Sequence, residues 1–231
     1  SFATGKNPGK HGCFNFFLPT KNINDTKIIS SRDIFGKTFY EVLEEQGKKC
    51  ILINMPVSWP PRLKKGITIG SWLAAKEDFV YPPELIQEIP ELSSYQLFPD
   101  FFVEHGGSLE EYVKELRKIE KKRFVVAKKL FKKNWDFFYL LFSSIDWLQH
   151  KQLKELLSPA LDKNSILLSL FKDIDSYLGW FMDNLPQGAF LILLSDHGFK
   201  IYPGRFYLNR WLGERDLLEG VEDTRERNRP R

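Results

Sequence analysis

Two patterns of apolar positions run along this chain: short solid runs, and longer stretches at helical spacing. The solid runs sit in Lys48–Asn54, in Phe137–Phe142 and in Phe190–Leu194. Runs this short, apolar throughout and closed by polar residues or Gly, predict central strands buried on both faces. Ile34, Phe35, Phe39, Val42 and Leu43 predict a helix over Ser31–Gly47, with Ser31 or Asp33 as its cap. Leu109–Lys133 is the clearest helix, and Ser165–Leu185 is another, with Ile166, Leu167, Leu170, Ile174, Leu178 and Phe181 inward. That second helix returns the chain from one strand to the next, so the order reads as a βαβ crossover and a mostly parallel sheet.

Between Pro56 and about Gly107 the pattern changes. Proline and aromatic residues dominate without long periodicity, which predicts a cap-like insertion, residues 56–107, over the core of a single domain. Ile67–Leu73 is readable as one short strand within it, and His105 as a loop residue. Gly5-Lys6-Asn7-Pro8-Gly9-Lys10 invites a phosphate-loop reading and fails it. The spacing between its glycines is one residue short, and His11 stands where a metal-holding hydroxyl belongs. Gly5 reads instead as a left-handed cap before a proline turn. FYLNRWL predicts a short helix, and the tail from Glu214 is charged and expected to fray.

Composition narrows the class. At 231 residues, 42% hydrophobic and 15% aromatic, the chain can bury a sizeable core. Its apolar stretches are too short to span a bilayer, and its start lacks a basic-then-apolar leader. Cys13 and Cys50 have neither metal spacing nor the density of a secreted scaffold, so a reducing, cytoplasmic setting is expected, with no membrane partner. A net charge of +4 suits anionic substrates without demanding nucleic acid. Leu109–Lys133 carries a lysine-rich face, but interspersed Glu110, Glu111, Glu115 and Glu120 make it a solvated amphipathic surface, and no nucleic-acid partner is expected.

Candidate chemistry lies at the strand tips. Phe190–Leu194 exits into Asp196, His197 and Gly198, and in open α/β sheets the carboxyl ends of strands are where ligands bind. An Asp beside a His offers the oxygen and nitrogen donors that a zinc-like cation takes, although a polar turn explains the same residues. Phe137–Phe142 repeats the design with Ser143, Ser144 and Asp146, and His150 follows four residues later. On a helix starting near Asp146, those two side chains share one face. Alternatively, Asp146 is a cap and His150 a surface residue. Two strands each delivering an Asp and a His favour a two-metal site.

The blocks SFATGKNPGKHGCFNFF, INMPVSWPP, FVYPPEL, SSIDWLQH and LLSDHGF together resemble the type I phosphodiesterase/nucleotide pyrophosphatase branch of the alkaline phosphatase superfamily. The resemblance implies an α/β three-layer sandwich with a mostly parallel sheet, two divalent metal ions, usually zinc, and a Thr or Ser nucleophile forming a covalent phospho-enzyme. By position it makes Asp146 and His150 ligands of one metal, and Asp196 and His197 ligands of the other. His11 belongs to a recurring motif but is no ligand, and Asn15 stands near the substrate phosphate where relatives commonly have Asp. The family's first metal-binding Asp and its nucleophile would precede Ser1, and its later His has no counterpart after His197. The expectation is therefore an internal, partial alkaline-phosphatase-like domain, residues 1–231, with four metal ligands, no nucleophile and an unpaired sheet edge.

The resulting reading is a metal-dependent hydrolase of a small phosphoester, whose nucleophile is not among these residues. Phosphomutase or sulfatase chemistry on the same scaffold is one alternative. The other is a non-catalytic remnant that binds metal weakly or a partner protein.

Overall fold

A computed structural model describes residues 1–20, 25–100, 107–204 and 206–218. The chain divides into two units, Ser1–Leu193 and Leu194–Arg231. The first opens with a one-turn helix α1 (Pro8–His11), an antiparallel pair β1 (Phe17–Pro19) and β2 (Thr26–Ile28), helix α2 (Phe39–Glu45) and strand β3 (Cys50–Ile53). Strands β4 (Ile67–Ile69) and β5 (Val80–Tyr81), the turn α3 (Leu85–Glu88), the long helix α4 (Leu109–Phe131) and strand β6 (Phe137–Leu140) follow. Helices α5 (Ser144–Leu156) and α6 (Ile166–Asp183) complete the first unit, and α7 (Leu208–Gly213) lies in the second. Among the described residues no helix is long and apolar enough to cross a membrane.

As expected for an α/β chain, the described residues form a mixed α/β unit, here around a mixed sheet of order β5-β4-β3-β6. The β3 strand pairs in parallel with β4 (Ile51 opposite Ile67) and with β6 (Cys50 opposite Phe137), while β4 and β5 are antiparallel. All four β3 residues are buried. Successive strand side chains point to opposite faces, so Ile51 and Ile53 enter one core with Val126, Ala127, Leu130, Phe131 and Phe181, while Cys50 and Leu52 enter another with Tyr40, Met55 and Leu63. That double burial explains why Lys48–Asn54 carries no polar alternation. Residues 56–107, expected to cap the core, contribute β4 and β5 to this sheet, and Leu85, Ile89, Leu92 and Leu97 to the first core.

Helix α4 begins with a capping box: Glu111 N–H donates to Ser108 Oγ at 3.2 Å, and Ser108 N–H to Glu111 Oε2 at 2.7 Å. Tyr112, Val113 and Leu116 from α4 meet Leu148 of α5 and Leu167, Leu170 and Ile174 of α6 in a third core. On the lysine-rich face, Lys114 pairs with Glu110, Lys129 with Glu91, and Lys133 with Glu88.

Two expected elements differ. Ser31–Gly47 is not one helix: Ser31–Asp33 forms a 3₁₀ turn, and α2 begins only after Thr38, whose capping box with Glu41 starts it. Gly36, at φ +90°, breaks the helical path between them. Phe190–Leu194 is not a buried strand either. It joins no sheet among the described residues, and Phe190, Ile192 and Leu193 are 92%, 77% and 73% exposed. An apolar run becomes a strand only where a neighbour completes its backbone ladder, and none of the described residues does so here.

Asp33 supports a pH-dependent prediction. Its carboxyl is held below the usual aspartate range first by Lys27, against the opposing effect of burial, and also by the N–H and hydroxyl of Ser30. A depressed folded pKa contributes stability above the unfolded value, about 3.9, that is lost as pH falls through the folded one. Asp33→Asn should thus cost about 1 kcal/mol at neutral pH in denaturant unfolding, and the difference should shrink towards zero in strong acid. An equal loss at both pH values would refute the assignment.

Candidate functional site

Because β3, β4 and β6 run parallel, their carboxyl ends share one edge of the sheet. A buried polar network lies there. Asn54 follows β3 with φ +60°, a conformation that Asn tolerates better than most residues. Its backbone N–H donates to Ile69 O at 2.8 Å, and its side-chain amide donates to Gly70 O at 2.7 Å. The Tyr95 hydroxyl donates to Asn54 Oδ1, and burial pushes the Tyr95 pKa far upward, so it remains a phenol. Arg123, beside Tyr95, donates to Leu97 O at 2.9 Å and to Glu120 Oε1 at 2.8 Å. The same Glu120 oxygen accepts the N–H of Ser144, the first residue of α5, at 2.8 Å.

Helix α5 starts at this contact. Its inner positions follow helical spacing: Ser144 at Glu120, Trp147 under the Arg123 guanidinium at 5.2 Å, Leu148 in the core, and Lys151 over the Tyr112 ring at 4.2 Å. Asp146 and His150 therefore fall on the outward side, 40% and 64% exposed, with Asp146 Oδ2 and His150 Nε2 3.6 Å apart. Two ligands of a tetrahedral zinc, each about 2.0–2.1 Å from the ion, stand roughly 3.3 Å from one another. The pair fits that donor set, and the two side chains come together as the sequence predicts.

In the second unit, Asp196 Oδ2 and His197 Nε2 are 3.9 Å apart, and Asp196 is 89% exposed. His197 Nδ1 lies 3.2 Å from Gly198 O. A carbonyl can only accept, so Nδ1 is the donor in that contact and Nε2 is the ring nitrogen on the Asp196 side. Each pair supplies two donors. Among the described residues, no three His, Cys, Asp or Glu side chains gather as a complete metal cluster.

The other candidates play local roles. His11 is buried, accepts the N–H of Cys13 at Nδ1 (3.1 Å) and meets Ser1 Oγ at Nε2 (3.1 Å), so both ring nitrogens are engaged. Asn15 is exposed, and its side-chain oxygen accepts the N–H of Phe16 at 2.7 Å. Burial pushes the Cys50 thiol up to about 11, with Glu44 and Asp136 adding to the shift, and burial raises Cys13 as well. Neither cysteine is poised as a thiolate nucleophile. His105 lies outside the described residues.

Sequence reasoning missed Glu120 and Arg123, placing Glu120 on a solvated face. Both are at most 1% exposed. The signal was their phase: they fall on the same helical stripe as Leu116, Ile119, Ala127 and Leu130, with opposite charges three residues apart.

The family model for type I phosphodiesterase / nucleotide pyrophosphatase matches residues 1–230. Searches of the curated proteins and of the solved structures found no match to the chain.

Burial holds His11 below the usual imidazole range. Its neutral form is the folded one, so it contributes stability that declines as pH falls below the unfolded value of about 6.5. His11→Gln should flatten that part of the stability profile between about pH 7 and pH 5 and leave zinc stoichiometry unchanged. A lost metal equivalent in calorimetric titration would make His11 a ligand after all.

Proposed function

Since the chain belongs to the type I phosphodiesterase/nucleotide pyrophosphatase family, we propose that it carries metal ligands of a two-metal phosphoester hydrolase, with Asp146 and His150 serving one divalent ion and Asp196 and His197 the other. Zinc is the ion that carboxylate and imidazole donors suit. The observation that carries this reading is the 3.6 Å approach of Asp146 to His150 on the outward side of a helix locked to the core.

When bound, paired metal ions offset charge on the attacking and leaving oxygens of a phosphoester and lower the pKa of the nucleophile. The chain's own contribution is to bind and orient. Asp146 offsets cation charge, while His150 and His197 offer imidazole nitrogens. At His197, the bond to Gly198 O turns Nε2 towards Asp196. In this reading the Thr or Ser nucleophile is not among the 231 residues, and the substrate is a small phosphoester.

The second reading is a non-catalytic remnant of such an enzyme that binds metal weakly or a partner protein.

Zinc titration by calorimetry, beside hydrolysis of bis-p-nitrophenyl phosphate, separates the two. The expected result is two zinc equivalents: Asp146→Ala with His150→Ala removes one, and Asp196→Ala with His197→Ala removes the other. Unchanged stoichiometry in either double variant removes that pair from the site, and no uptake at either pair selects the remnant. Turnover by the chain itself would refute the claim that no nucleophile lies within it.

A further inference from the structure

We propose that Glu120 is a positioning residue for the Asp146–His150 pair: its buried carboxylate grips the first turn of α5 and sets the rotation at which the two side chains face outward. The inference rests on the metal reading above. The contacts at the start of α5 lead to it. The N–H of Ser144 is one of the orphan donors of the first turn of α5 and is satisfied from another helix, by Glu120 at 2.8 Å, while Ser143 at the N-cap position makes no side-chain cap hydrogen bond. A carboxylate at a helix N-terminus also complements the helix dipole. Ser144 stands two residues before Asp146, so a shift at this contact passes directly to the ligand-bearing turn.

Arg123 in turn fixes Glu120, and its other contacts reach Leu97 O and the Trp147 ring. The network is costly as a stability device. Glu120 Oε2, Arg123 Nε, Ser143 Oγ and Ser144 Oγ are buried without a hydrogen-bond partner among the described residues, and a buried ion pair is often matched or exceeded in stability by apolar replacements. A pair kept under those terms, and directed at the turn that carries a candidate ligand, fits a geometric role.

The test compares Glu120→Ala, Glu120→Gln and a core control, Val113→Ala, which empties space in the helical core at a side chain that offers Ser144 no hydrogen bond. Amide hydrogen exchange at Ser144 reads the grip directly, and zinc titration reads its consequence. Glu120→Ala should speed exchange at Ser144 and weaken the zinc equivalent that depends on Asp146 and His150 by at least about tenfold, leaving the Asp196–His197 equivalent unchanged. Glu120→Gln, which keeps an oxygen acceptor, should recover most of that affinity. Val113→Ala should lower thermal stability yet keep zinc affinity within about twofold. Equal weakening in the Glu120→Ala and Val113→Ala proteins, or unchanged Ser144 exchange in Glu120→Ala, overturns the positioning role. Failure of the wild type to take up zinc at Asp146 and His150 overturns the metal reading instead, and the exchange measurement still decides whether Glu120 holds the turn.

Discussion

A carboxylate and a guanidinium enclosed together, Glu120 and Arg123, constrain the sheet edge on which the candidate chemistry depends. Breaking a buried pair by removing one partner typically costs about 3–5 kcal/mol, because the remaining charge is left without compensation. The pair therefore behaves as one unit. Through it α4, the backbone at Leu97 and the start of α5 are tied together, and through Tyr95 and Asn54 the tie extends to the ends of β3 and β4. Outward-facing donors can be held in register only if the helix beneath them cannot rotate.

That constraint depends on β3. Its four buried residues divide between two cores, one closed by α4 and α6 and the other by Tyr40, Met55 and Leu63. Parallel pairing on both sides brings the ends of three strands to one edge, so groups far apart in sequence, Asn54, Gly70 and Ser144, meet in one polar layer. A parallel sheet concentrates its strand ends in this way as a consequence of direction alone.

The segment carrying Asp196 and His197 behaves differently. Phe190–Leu194 has the composition of a central strand, yet its side chains are largely exposed and it joins no sheet among the described residues. Strand-forming side chains express a fit to a pleated, half-buried surface more than an intrinsic backbone preference. The local pair survives nonetheless, because neighbouring residues and the Gly198 carbonyl suffice to aim the His197 ring.

Local patterning by itself determined much of this protein. The apolar run of β3, the helical stripes of α4 and α6, and the four-residue spacing of Asp146 and His150 were all legible, because each is a short-range periodicity with one good solution. The family's motif blocks were legible too, as chemistry written in consecutive residues. Tertiary structure alone decided that Ser31–Gly47 breaks at Gly36, that β4 and β5 enter the main sheet, and that Glu120 and Arg123 turn inward. Those outcomes depend on which distant groups arrive opposite a given residue. A carboxylate on a helix reads as solvated until a partner helix supplies an N–H that donates to it.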